Sequence, residues 1–259
     1  MFRNLKERVK KWSTACNKQM TDEEITKEKT LSGPAYESQK DALKATDEFY
    51  ENYEGFQYSE QKVTEWVRKH VKLPRSGRVI DLCCGDGIWS KGIQNINPKL
   101  ELYGIDISQG AIVRARKLLD TDEKHFIIGD AEAGLPFRDG FFNLIFARGP
   151  GLYNQHNMDR PATIRVIESW HLKLAPDGIF YSVFASKPEK MGTYTPVDEV
   201  KLPYNRYPRK TDTIDFLGGK YHHTIQSFLS PFWKTKNVAI VSYSFFENLH
   251  VLVTRLRED

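Results

Sequence analysis

Asp81-Leu82-Cys83-Cys84-Gly85-Asp86-Gly87 stands between a short apolar run, Arg78–Cys83 (RVIDLC), and a helical pattern that begins at Ile88. A strand, a glycine turn and a helix in immediate succession are the opening of a βαβ unit. The glycines let the backbone turn sharply and let a ligand approach without meeting a Cβ. Downstream, Glu101–Asp106 (ELYGID) reads as a second strand. Ser108 can cap a helix that carries Ala111, Ile112, Ala115, Leu118 and Leu119 on one side. His125–Gly129 and Phe141–Ala147 read as third and fourth strands. Asp159 and Pro161 open a helix that Pro176-Asp177-Gly178 closes, and Ile179–Ala185 is the fifth strand.

Strands alternating with helices predict a doubly wound, mostly parallel α/β sheet covered on both faces. The C-terminus departs from that grammar. A helix over His222–Trp233 precedes strands Val238–Phe246 and Val251–Arg257, joined only by Glu247-Asn248-Leu249-His250. So short a link forces an antiparallel hairpin, because a parallel pair needs a crossover of roughly a dozen residues. The expected sheet has seven strands.

Working outward, residues 35–77 form an N-terminal helical cap rich in aromatics, among them Phe49, Tyr50, Tyr53, Phe56, Tyr58 and Trp66. Residues 1–34 make a basic segment and linker ending in Ser32-Gly33-Pro34. Residues 78–259 are the main domain, with an insertion at 187–220 longer than a strand–helix link requires; such an insertion at the carboxyl edge is often a lid.

The chain has 259 residues, 40% hydrophobic and 28% charged, the composition of an ordinary soluble globular protein. No apolar run reaches the ~18 residues that cross a bilayer, and no secretory signal is evident. Three cysteines, two of them adjacent, make no disulfide framework and no zinc motif; a reducing, cytoplasmic setting without a metal is expected. Net charge is +4, yet residues 1–20 carry six basic side chains against one acidic, so the rest is close to neutral. Phe2, Leu5, Val9 and Trp12 at helical spacing in that basic segment suit either weak contact with an anionic membrane surface or partner, or packing on the chain's own domain.

The glycine turn and Asp106, 19 residues after Gly87 at the end of the second strand, together predict an adenosine-type ligand; an acid there can accept hydrogen bonds from a ribose. A dinucleotide fingerprint would need a third glycine where Ser90 stands. Asp81 and Asp86 would also face a pyrophosphate with like charge. S-adenosylmethionine, with its sulfonium and ammonium, suits an acidic turn better.

These residues resemble the class I S-adenosylmethionine-dependent methyltransferases, above all the small-molecule enzymes typified by the ubiquinone and menaquinone biosynthesis methyltransferases. Asp81–Gly87, Tyr103–Ser108 (YGIDIS), Gly129–Phe137 (GDAEAGLPF), Asn143–Arg148 and Leu174–Phe180 (LAPDGIF) match successive motifs over residues 78–185. The resemblance implies a Rossmann-like fold with the reversed last strand. It implies that Gly85 and Gly87 pack against the cofactor and that Asp81 organises its methionine end. Asp106, with Ile107 beside it, would bind the ribose, and Asp130 with the Ala131 backbone would meet the adenine. Three positions depart from the family pattern: Cys83 replaces its first glycine, Asp86 a threonine or serine, and Asn143 an aspartate.

Methyl transfer needs alignment in a dry pocket, and a base only where the acceptor must lose a proton. Tyr153 and His156, in the loop after the fourth strand, are candidates to orient or deprotonate an acceptor, or else are lid packing and an exposed histidine. Arg148 could grip a carboxylate of the cofactor or of an acidic acceptor. His222 and His223 are weaker candidates. Lys187–Lys210 carries six basic and three acidic residues, which suits an acidic or phosphate-bearing small molecule. Nucleic acid is disfavoured by the neutral body and by Ala147-Arg148-Gly149-Pro150 where amino-methylating DNA enzymes have an Asp/Asn-Pro-Pro-aromatic tetrad. RNA modification, a non-catalytic binding module and an NAD-dependent oxidoreductase are the alternatives.

Overall fold

The computed structural model describes residues 50, 58–150, 152, 161–185, 200–201, 213–215, 222–246 and 249–257. Helix α1 (Glu60–His70) leads into β1 (Gly77–Leu82), α2 (Ile88–Ile96), β2 (Leu100–Asp106), α3 (Gln109–Leu119), β3 (Phe126–Ile128) and β4 (Phe142–Arg148). Then follow α4 (Pro161–Leu172), β5 (Leu174–Ala185), β6 (Val200–Lys201), β7 (Thr213–Asp215), β8 (His222–Thr224), α5 (Ile225–Lys234), β9 (Val238–Phe246) and β10 (Leu249–Leu256).

The main sheet runs β3-β2-β1-β4-β5-β10-β9-β6. The first five are parallel neighbours, whereas β10 pairs antiparallel with both β5 and β9. The doubly wound, mostly parallel sheet with its antiparallel C-terminal hairpin is therefore as the sequence predicts. It gains an eighth strand, because β6 from the insertion adds two residues to the edge of β9. A separate ribbon, β7 with β8, takes His222–Thr224 out of the predicted helix, so α5 starts at Ile225. Pro176–Gly178, expected to close a helix, instead lies within β5. The register against β4 jumps from Phe142↔Leu174 to Leu144↔Ile179, so the proline and glycine are accommodated in a bulge.

Period-two alternation divides the core. Ile80 and Leu82 of β1, and Ile145 and Ala147 of β4, pack with Ile167 and Trp170 of α4 and Leu229 and Phe232 of α5. Val79, Leu144 and Phe146 face the opposite way, onto Val63, Trp66 and Val67 of α1 and Ile88, Trp89 and Ile93 of α2. Ile112, Ala115 and Leu119 seat α3 beside Phe126 and Cys84. Runs apolar on both sides are what a parallel strand between two helix layers requires. Ser108 caps α3 as expected, its Oγ accepting from Ala111 N at 3.1 Å. Asn143, whose place in the family pattern belongs to an aspartate, accepts a hydrogen bond from Arg78 N at 2.9 Å through Oδ1 and so ties the start of β1 to β4.

Candidate functional site

Strand order reverses between β1 and β4, since β2 follows on one side of β1 and β5 lies beyond β4. Ligands of open α/β sheets lie outside the carboxyl ends of the strands at such a switch point. Here that crevice is bounded by the turn 83–87 after β1, Asp106 at the end of β2 and Arg148 at the end of β4.

The turn alternates left-handed residues: Cys83, Gly85 and Gly87 have φ of 55, 54 and 79°. Gly87 N donates to Cys84 O at 3.0 Å and closes it. Cys83 therefore holds a conformation that favours glycine, at a cost of about 1–2 kcal/mol. The two glycines serve different neighbours. A Cβ on Gly87 would stand 2.9 Å from Ala115 Cβ and 3.0 Å from Ala115 Cα, so its bareness lets α3 approach α2. A Cβ on Gly85 would run into the hydroxyl of Tyr50, which rests on the turn from the N-terminal cap. The sequence marks the aromatic run containing Tyr50 but not which ring reaches the turn.

Three carboxylates converge there, with Asp81 2%, Asp86 4% and Asp106 8% exposed. Asp106 bridges two elements: Oδ2 accepts from Gly85 N at 2.9 Å and Oδ1 from Ser108 N at 3.0 Å. Asp86 is buried and accepts from the N–H of Ile88, the first residue of α2, at 3.3 Å. Asp81 shares the α2-facing side of β1 and accepts from Ser90 Oγ at 2.6 Å. Burial raises its carboxyl from 3.8 to about 7; Asp106 and Asp86 push the same way, against the Ser90 bond and the charge of Arg148. Ser90 thus occupies the missing third glycine's position as the partner of Asp81. Burial and the surrounding carboxylates hold the Cys83 thiol well above its usual range, and burial does the same for Cys84. The Tyr50 hydroxyl is also pushed up, first by burial, then by Asp106 and Asp86.

On the far side of Asp106, Ile107 is half-buried and Gly129 N donates to Asp106 O at 2.9 Å, joining the turn after β3 to this edge. Asp130 Oδ1 accepts from Glu132 N at 2.8 Å, and buried Ala131 is pinned through its carbonyl to Trp170 Nε1 at 2.8 Å. The expected cofactor residues Asp81, Cys83, Gly85, Gly87, Asp106, Ile107, Asp130, Ala131 and Arg148 all lie along this edge. Arg148 stacks its guanidinium on Tyr58, 4.5 Å from the ring centroid, and on Trp89, 5.1 Å away. It also donates to the Tyr58 hydroxyl. Tyr153 and His156, the side chains of His222 and His223, residues 1–34 and most of the insertion 187–220 lie outside the described residues. Among the described residues no cluster of three His, Cys, Asp or Glu side chains is placed to hold a metal ion, and no helix is long and apolar enough to cross a membrane.

A family model described as a methyltransferase domain matches residues 79–178. A malonyl-[acyl-carrier protein] O-methyltransferase of Legionella pneumophila is 34% identical over 70 residues, covering 27% of this chain and 25% of that one. A demethylmenaquinone methyltransferase of Geobacillus kaustophilus is 28% identical over 138 residues, 51% of this chain and 55% of the relative. The chain thus spans a quarter to about half the length of these relatives. Among solved structures, the CcbJ methyltransferase of Streptomyces caelestis superposes with a TM-score of 0.54 at 13% identity, covering 82% of this chain and 96% of that one. That likeness establishes the fold.

Proposed function

We infer that the class I methyltransferase domain carried by this chain over residues 79–178 works as an S-adenosylmethionine-dependent methyltransferase, moving a methyl group by in-line displacement to a small-molecule acceptor. The observation that carries this reading is the buried trio Asp81, Asp86 and Asp106 around the left-handed turn of Cys83, Gly85 and Gly87. The residues suit the donor. Its sulfonium and ammonium answer the acidic pocket, its ribose answers Asp106, and its adenine answers the Asp130–Ala131 turn. A pyrophosphate would meet three carboxylates where water is scarce.

When bound, the donor supplies a methyl carbon already activated by the sulfonium. The chain's part is to hold and exclude. Asp106 fixes the turn to the start of α3, Asp81 is placed for the ammonium, and Tyr50 covers Gly85. Such positioning in a closed site can remove about 7–11 kcal/mol of barrier. The cap of residues 35–77 and the lid of 187–220 are proposed to roof the acceptor, with Tyr153 or His156 taking a proton where the acceptor carries one. Six basic residues in Lys187–Lys210 favour an acidic or phosphate-bearing acceptor, and a cytoplasmic setting fits the free thiols of Cys83 and Cys84.

Calorimetry against S-adenosylhomocysteine and NAD tests the donor: binding of the first and not the second is expected, and the reverse overturns the reading. Labelled donor incubated with metabolite and RNA fractions, followed by mass spectrometry for added CH₂, tests the acceptor. Product confined to RNA would replace the small-molecule assignment. The acidic-acceptor reading predicts that Arg206→Ala and Arg209→Ala raise the acceptor KM; unchanged values would remove it.

A further inference from the structure

On the premise that the donor is S-adenosylmethionine, we propose that Tyr50 stands in the donor's own place on the glycine turn, an internal competitor that has to leave before the donor can settle there. Three grips seat it. A Cβ on Gly85 would collide with its hydroxyl and stand 3.3 Å from its Cζ. At the other end of the side chain, its β-carbon lies 3.5 Å from where Gly110 would carry a Cβ, in the first turn of α3. Its backbone carbonyl accepts from Arg114 Nη1 at 3.1 Å, one turn further along that helix.

Both ends of the side chain therefore rest on what the donor needs. Tyr50 spans from the start of α3 to the turn, the two elements that Asp106 joins through Ser108 N and Gly85 N. Its hydroxyl feels the charges of Asp106 and Asp86, the first assigned to the donor's ribose and both part of the acidic pocket for its cationic groups. Non-bonded heavy atoms settle about 3.5–4 Å apart, so no layer of ligand fits between that hydroxyl and the Gly85 backbone. Covering Gly85 and sharing it with a ligand are incompatible.

Charge favours the exchange. Burial, then Asp106 and Asp86, push the Tyr50 hydroxyl up, so it stays protonated and adds no negative charge to the pocket. A neutral phenol does nothing to offset the buried carboxylates, whereas the donor brings a sulfonium and an ammonium. An occupant that must leave first lowers a ligand's apparent affinity by the fraction of molecules in which the seat is open. Docking of Tyr50 and binding of the donor are alternatives, and Arg114 is the positioning residue that sets their balance.

S-adenosylhomocysteine is titrated calorimetrically into the full chain and into Tyr50→Ala, Tyr50→Phe and Arg114→Gln. With the open state populated at roughly 10% or less, Tyr50→Ala is expected to bind about tenfold or more tightly than wild type. Tyr50→Phe, which keeps the ring and drops only the oxygen, should gain less, and Arg114→Gln, which loosens the carbonyl grip, should gain severalfold. Damage to the fold lowers affinity, so it cannot mimic a gain. Unaltered protein gives a second measurement: tyrosine nitration by tetranitromethane, mapped by peptide mass spectrometry, should reach Tyr50 severalfold faster under saturating S-adenosylhomocysteine. Weaker binding by Tyr50→Ala, or slower nitration of Tyr50 with ligand, overturns the proposal and makes Tyr50 a roof over the bound donor. Affinities within about twofold of wild type in both Tyr50→Ala and Arg114→Gln overturn it as well. Where Tyr50→Ala does not fold, Arg114→Gln and the wild-type nitration decide. All these results leave the donor reading standing; failure of both wild type and Tyr50→Ala to bind S-adenosylhomocysteine removes that reading, and this one with it.

Discussion

Replacing Asp81 by asparagine isolates the electrostatic cost of the proposed donor site. Asp81 is 2% exposed, and its carboxyl titrates near 7 in the folded chain against an ordinary 3.8. Between those values the folded protein holds a proton that the unfolded chain has released, so raising the pH favours unfolding. Each tenfold change in proton affinity is worth about 1.36 kcal/mol, so ionised Asp81 costs the unliganded fold about 4 kcal/mol once the pH is above 7. Asparagine is isosteric and its Oδ1 can still accept from Ser90, but it carries no charge. Asp81→Asn is therefore expected to match wild type near pH 4 and to become progressively more stable above it. The gap should approach about 4 kcal/mol at pH 8, which for a chain of this size is roughly 8–16 °C in Tm. Urea denaturation of both proteins from pH 4 to 8.5 measures that gap. The donor's ammonium should reverse the cost. S-adenosylhomocysteine should bind wild type more tightly as pH rises toward 7, with proton release seen as a dependence of the heat on buffer ionisation enthalpy, and Asp81→Asn should release none. A stability gap that stays flat from pH 4 to 8 would refute the reasoning, because Asp81 would then be ionised throughout. Ser90→Ala, which removes the bond favouring the ionised form, should move the midpoint of the gap upward.

Two buried histidines act with the opposite sign over the same range. His171 donates from Nδ1 to Ile167 O at 2.7 Å and accepts at Nε2 from Thr254 at 2.8 Å, while His250 Nδ1 lies 2.5 Å from the Tyr243 hydroxyl. Burial lowers them from 6.5 to about 4 and about 3. Below pH 6.5 the unfolded chain takes up protons that the fold refuses, so stability should fall with acid down to those values; the double variant His171→Gln/His250→Gln should show a flatter acid limb by circular dichroism. Gly87→Ala must place a side chain at φ 79° and 2.9 Å from Ala115 Cβ, an expected loss of about 2–5 kcal/mol in urea, with partial recovery on adding Ala115→Gly. An unchanged midpoint would mean that α3 does not press on the turn. Asp106→Asn keeps at most one of the two backbone bonds, to Gly85 N and Ser108 N, since its NH₂ faces an N–H. Both S-adenosylhomocysteine and 5′-methylthioadenosine, which share the nucleoside, should weaken by roughly 10- to 100-fold in calorimetric titration.

What could be read from the chain alone is what depends on neighbours in sequence. The strand–turn–helix over Arg78–Ile88, the cap at Ser108, the alternation that calls for a two-sided parallel sheet and the short link that forces the last hairpin to reverse are all local rules, and each is realised. Local rules also mislead where pairing overrides them. Pro176-Asp177-Gly178 has the signature of a helix end, yet β4 and β5 absorb it as a bulge. His222–Thr224 continues a helical pattern, yet β7 recruits it into a ribbon.

The site's finer chemistry lies beyond such rules because its partners are far apart along the chain. Tyr58 meets Arg148 across 90 positions, and His171 meets Thr254 across 83. Asp81 and Asp86 are plainly acidic in sequence, but only burial between β1 and α2 turns one into a carboxyl titrating near 7 and sets the other against the first backbone N–H of α2. Sequence sets which charges are available at the turn. Packing of the helix layers decides how much water they lose, and with it their proton affinity and the ligand charge they suit.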